Sequence, residues 1–174
     1  MFVIGALSAA LLSNPTSAAN CSSLTAEQLL HRVGRTGDGG IAAMAAGDRV
    51  ITDYDLAQRV ALHVALTGAN PDAEQLKRIE AADLQDLKDD AALFAVAQKK
   101  NVVVSSQEVD TALAGMLAHA RVSKGQLNSL LSRAGVTVDY FRAQVAIDLV
   151  RRKMNTQVGG LRYRLVNAPC LRTG

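Results

Sequence analysis

Residues 70–101 read NPDAEQLKRIEAADLQDLKDDAALFAVAQKKN, and this stretch decides the fold class. Pro71 suits the first helical position, and nothing after it breaks a helix before Asn101. Leu76, Ile79, Leu87, Ala91, Phe94 and Gln98 mark one face of that helix. At about 1.5 Å per residue it spans roughly 40 Å, which makes it the spine of a single domain. Asp83 and Lys88 fall close to the same face and interrupt its apolar pattern.

The flanking segments carry the same helical grammar. Upstream, Thr52-Asp53-Tyr54-Asp55 supplies an N-cap threonine with acids in the first turn, predicting a helix over about 53–66 that Gly68 stops. Its Leu56, Val60 and Val64 form one buried ridge. Before it, the apolar run Ile41 to Ala46, the turn signal Gly47-Asp48 and Arg49-Val50-Ile51 predict a small hairpin. Downstream, Val102-Val103-Val104 is extended, and Ser105-Ser106-Gln107-Glu108 is a capping box opening a helix through about His119. Ser123-Lys124-Gly125-Gln126 opens another, with Leu127, Leu130 and Leu131 apolar and Gly135 at its end. A last helix runs over about 138–157, carrying Phe141, Val145, Leu149 and Val150, and Gly159-Gly160 finishes it. The predicted fold is mainly α: a small N-terminal β-hairpin followed by about five helices, one a long spine helix. Composition agrees, because 49% of the 174 residues are hydrophobic but only 3% aromatic, and alanine and leucine favour helix.

The ends differ from the body. Phe2 to Leu12 carries no charge, and small residues follow at Thr16-Ser17-Ala18-Ala19, so residues 1–19 read as a signal peptide without a basic start. Residues 20–40, closing on Thr36-Gly37-Asp38-Gly39-Gly40, read as a linker, residues 41–158 as the domain, and residues 159–174 as a disordered basic tail. From Ile41 to Leu149 there are 11 Lys/Arg against 14 Asp/Glu, whereas six basic residues and no acid follow Leu149. The formal charge of +3 therefore comes from the tail. Cys21 and Cys170 lie near opposite ends; pairing in an oxidising compartment would contribute roughly 4–5 kcal/mol by closing so long a loop.

Motifs of catalysis are not visible. His31, His63 and His119 have no glycine-rich elbow or spaced carboxylate beside them and read as structural. Asp83, Asp86 and Asp90 share one side of the long helix, with Asp89 next to them, and read as a solvated face. Neither cysteine has a second ligand at metal spacing, and no phosphate-binding or calcium-binding loop occurs, so no cofactor, metal or catalytic residue is expected. Residues 126–142 have the outline of a helix-turn-helix, but Asp139 would open the recognition helix towards phosphates, and the domain around it is acidic. A nucleic-acid partner is not expected.

Taken in order, Gly47 to Leu56, the spine helix, Lys99 to Ser105, Glu108-Val109-Asp110, Leu130 to Val136 and Tyr140 to Gln144 resemble the amino-terminal domain of SurA-type periplasmic chaperones. The resemblance covers about residues 41–154 and implies a periplasmic module that binds unfolded outer-membrane polypeptide segments, without stable membrane insertion. In the family this module precedes parvulin-type prolyl isomerase domains, and a carboxy-terminal helix returns to complete the core. The sequence after Met154 has no room for such a domain, so isomerase activity cannot be carried to any residue here. A holdase needs an adaptable apolar surface. Leu113, Met116 and Leu117, with Leu127, Leu130 and Leu131, are the peptide-binding candidates, and core packing explains the same residues. A surface left uncovered by the closing helix would favour client binding or self-association.

Overall fold

The helices begin where their side chains can satisfy the free backbone N–H groups. The computed structural model describes Thr25, Gln28, the backbone of residues 41–44, and residues 50–154. Among these, strands β1 (Ile41–Met44) and β2 (Val50–Thr52) precede helices α1 (Asp53–Thr67), α2 (Ala73–Lys99), α3 (Ser106–Ala120), α4 (Lys124–Ala134) and α5 (Val138–Lys153). Reciprocal capping boxes open the first four helices: Thr52 with Asp55, Asp72 with Gln75, Ser105 with Glu108 and Ser123 with Gln126. At α5 the Thr137 hydroxyl accepts from Tyr140 N. Each such cap contributes about 1 kcal/mol.

The second box corrects one expectation. Pro71 is not the first residue of α2, because the Asp72 carboxylate is the better cap: it accepts from Glu74 N at 2.9 Å and Gln75 N at 2.8 Å. Proline, lacking an acceptor side chain, is left one position outside and buried.

The C-termini also share a device. Asn101, Arg121 and Gly135 take positive φ, and the valine after each donates its N–H back across the last turn. These bonds are Val102 N to Ala97 O at 2.9 Å, Val122 N to Leu117 O at 3.0 Å and Val136 N to Leu131 O at 2.9 Å. Val122 and Val136 are buried, so each closure also pins the next segment to the core. Gly68 ends α1 at φ 64°, as its sequence position predicts.

The predicted hairpin is present as an antiparallel pair, Ile41 opposite Thr52 and Met44 opposite Val50, with an irregularity between Ile41 and Ala43. It packs on α1, and β1 also meets α2. The predicted segments 1–19 and 159–174, the cysteines, His31, residues 155–157 of the last helix, and the linker apart from Thr25 and Gln28 lie outside the described residues.

The long helix has the predicted length, but α1 holds the centre. Ten of the 15 residues of α1 are buried, against six of 27 in α2. Around α1 lie α2 and α4, while α5 joins α2 and α3. Leu76, Leu87 and Ala91 face inward as predicted, Ile79 is partly buried against the core, and Gln98 is exposed. The largest fully buried side chain is Phe141, which fills space that a chain poor in aromatics otherwise closes with leucine, valine and alanine.

Gly115 stands in the exposed middle of α3, where a Cβ would meet nothing within 4 Å. Substituting Gly115→Ala should raise stability by about 0.5–1 kcal/mol, read as a higher urea midpoint at unchanged slope.

Candidate functional site

Arg59 and His63 are one turn apart on α1, and Leu56, Leu62 and Leu66 lie on the same side by helical spacing. Across from them α2 presents Asp83, Asp86 and Asp90, spaced three and four residues apart. His63 Nδ1 lies 3.1 Å from Asp83 Oδ1, and Arg59 Nη2 lies 3.5 Å from Asp86 and 3.4 Å from Asp90. The third wall is α5: Gln144 accepts from Arg59, Arg151 pairs with Asp90, and Asp148 lies 3.4 Å from Arg151. A charged seam therefore runs between three helices that would otherwise meet through apolar side chains.

Burial sets the energetics. Asp83 is 1% exposed and Asp90 3%, so neither belongs to the solvated face expected of them; Asp89 alone fits that description fully. Their carboxylates turn inward because matching cations stand on α1 and α5, which the spacing within α2 cannot reveal. Burial raises the Asp90 pKa above its ordinary value, against the opposing pull of Arg59 and Arg151. Burial works against the Arg59 charge, but Tyr140, Asp90, Asp83 and Asp86 outweigh it and hold the guanidinium above its ordinary value. Burial also pushes the Tyr140 phenol well up. Buried ion pairs return little net stability, yet removing one partner costs about 3–5 kcal/mol. Arg59 Nε and the Tyr140 hydroxyl are buried without a protein hydrogen-bond partner, and Asp90 Oδ2 makes no hydrogen bond beyond its 3.4 Å ion pair with Arg59 Nη2.

A neutral joint completes the arrangement. Gln58, 1% exposed, donates to Gly135 O at 2.7 Å and accepts from Thr137 N at 2.9 Å. One side chain of α1 thus satisfies both backbone groups of the turn between α4 and α5. That turn carries the helix-turn-helix outline, and Arg142, at the end of the outlined segment, is paired with Asp110 on α3.

The six predicted peptide contacts occupy the core side of their helices. Met116, Leu117, Leu127, Leu130 and Leu131 are buried, and Leu113 is partly buried against them. This burial is what core packing, the other explanation of the same residues, requires. Among the described residues the exposed large apolar side chains are Val50, Tyr54, Val96, Val103 and Val138, with Val103 at 73%. Sequence reasoning missed these, along with Gln58, Arg59, Gln144 and Arg151. The available signal was two polar residues one turn apart inside the apolar α1.

His63 is a structural partner of Asp83, and His119 is exposed in the last turn of α3. Among the described residues no group of three or more His, Cys, Asp or Glu side chains is placed to hold a metal, and no helix is long and apolar enough to cross a membrane. Residues 29–155 match the model of a family described as the SurA-like N-terminal domain. No curated protein and no solved structure matches the chain.

Two outcomes follow from this geometry. Gln58→Leu should lower stability by about 1–2 kcal/mol, since it removes two part-buried hydrogen bonds, to Gly135 O and from Thr137 N, and urea unfolding measures the loss. Glu108, hydrogen-bonded to Lys153 at 2.6 Å and to Ser105, has its pKa lowered from 4.5 to about 2. A depressed folded-state pKa means that the contribution is fully present above about pH 4.5 and is lost as the pH falls towards 2. Glu108→Gln should flatten that acid limb in thermal melts taken across the same window.

Proposed function

The chain belongs to the SurA-like N-terminal domain family, a family of chaperone-like modules, and on that premise we propose that it holds unfolded outer-membrane polypeptide segments in the periplasm without catalysing their folding. The observation that carries this reading is the extent of the family match, residues 29–155, which takes in every described helix. The family is periplasmic, and export of this chain through residues 1–19 belongs to the same proposal.

The surface chemistry supports a holdase. Val50 and Tyr54 lie at the hairpin end of α1, and Val138 follows Thr137 in the turn that Gln58 holds. Val96 and Val103 flank the far end of α2. Scattered apolar positions on a charged surface give weak, distributed contacts, which suit clients without a fixed shape. Leu113, at the margin of the core, is the one predicted contact residue that can join such a surface without rearrangement.

Purified mature protein should suppress light scattering by a diluted, unfolded outer-membrane polypeptide at about stoichiometric ratio. No suppression at severalfold excess would overturn the proposal. Replacing Val103 and Val96 with serine should weaken suppression while leaving the helical circular dichroism spectrum unchanged.

A further inference from the structure

We propose that α2 is a hinged flap, and that its opening along the charged seam uncovers the leucine-lined side of α1 as the client-binding cleft. This deepens the holdase reading and rests on it. Three observations converge on α2. The first is what holds it down. Between Asp83 and Asp90, the middle of the helix meets α1 and α5 through Asp83 to His63, Asp86 to Arg59, and Asp90 to Arg59 and Arg151. On that stretch Leu87 is buried at 9% exposure and Leu84 is partly buried against the core, while Leu76, Ala91 and Ala97 are buried towards the two ends of the helix.

Ionic contacts of this kind separate more readily than apolar ones, because water re-solvates both partners once the helices part, whereas exposed leucine gains nothing. The second observation sharpens this. Arg59 Nε and the Tyr140 hydroxyl are buried without a protein hydrogen-bond partner, and Asp90 Oδ2 has only the 3.4 Å ion pair with Arg59 Nη2, so polar groups of the closed seam are incompletely paired and opening lets water reach them.

The third lies at the two ends of the helix. Gly68 before α2 and Asn101 after it both hold positive φ, at 64° and 54°, and each is followed by a short non-helical connector. Changes of backbone angle at those connectors move α2 without breaking a helix. Beneath it, helical spacing places Leu56, Leu62 and Leu66 beside Arg59 and His63, and α2 brings Leu76 and Leu87 on its own inner side. An opened cleft is therefore lined by leucines, with Arg59 and His63 on the α1 wall facing Asp83, Asp86 and Asp90 on the α2 wall. It suits an extended, mainly apolar segment of an unfolded polypeptide whose polar side chains can meet either wall.

Two measurements test the flap. Native-state hydrogen exchange on the unaltered chain should show residues 76–97 opening together, in a urea-sensitive step, at least about tenfold more often than the global unfolding that exposes α1. Exchange of α2 and α1 only through one global event would overturn the flap. Second, His63→Leu combined with Asp83→Leu replaces a hydrogen-bonded polar pair, 3.1 Å apart, with an apolar contact and should close the seam. If it folds, the double variant should suppress aggregation at least about fivefold less than the unaltered chain, with slowed α2 exchange. Undiminished suppression alongside slowed exchange would overturn the cleft while leaving the holdase reading intact. Absence of suppression by the unaltered chain would remove the holdase reading and with it the client cleft. Should the double variant fail to fold, the exchange of the unaltered chain decides the matter.

Discussion

Arg59 stands in the middle of the most deeply buried helix of the domain, and the way its charge is neutralised sets the positions of two other helices. Its guanidinium reaches Asp86 and Asp90 on α2 and Gln144 on α5, and Asp90 in turn holds Arg151. Because Asp83, Asp86 and Asp90 recur at one-turn spacing, a slide of α2 by one turn along α1 would still bring a carboxylate opposite Arg59, and what it would break is the pairing of Asp90 with Arg151 on α5 and of His63 with Asp83. The contact that sets the position of α2 is therefore the three-way one, in which Asp90 meets cations from two helices at once.

The elements on the other side of α1 are set by a different device. Gln58 takes the donor and the acceptor of the turn between α4 and α5, so that turn has one position against α1. Val122 and Val136, closing the ends of α3 and α4, drop into the core directly after their helices. On the surface, Asp110 with Arg142 and Glu108 with Lys153 tie α3 to α5, and the Lys153 ammonium also donates to Val103 O at 2.6 Å. These exposed pairs orient more than they stabilise.

Seen together, the two sides of α1 are unlike. The α3, α4 and α5 side is closed by Met116, Leu117, Leu127, Leu130, Leu131 and Phe141, all buried. The α2 side combines Leu76, Leu87, Ala91 and Ala97 with the charged seam through Asp83, Asp86 and Asp90. The two sides therefore differ in kind: one is mainly apolar, and the other alternates apolar and ionic contacts along one helix.

The sequence by itself determined the hairpin, the five helices and nearly all their boundaries. Those features follow from neighbours within four residues: a hydroxyl or carboxylate three positions before its partner, a glycine after the last turn, an apolar ridge at helical spacing. It also determined that Met116, Leu117, Leu127, Leu130 and Leu131 are apolar positions suited to the core, and the succession of motifs pointed to the family that the chain belongs to. Only the tertiary structure decided that α1 rather than the longer α2 is the centre, and that Asp83 and Asp90 face inward. His63 is 20 residues from Asp83 and Arg59 is 85 from Gln144, and the partners of a buried polar group are fixed by which helices meet and in which register. Spacing along one helix shows that carboxylates share a side; whether that side meets water or a guanidinium depends on a neighbour that local sequence does not specify.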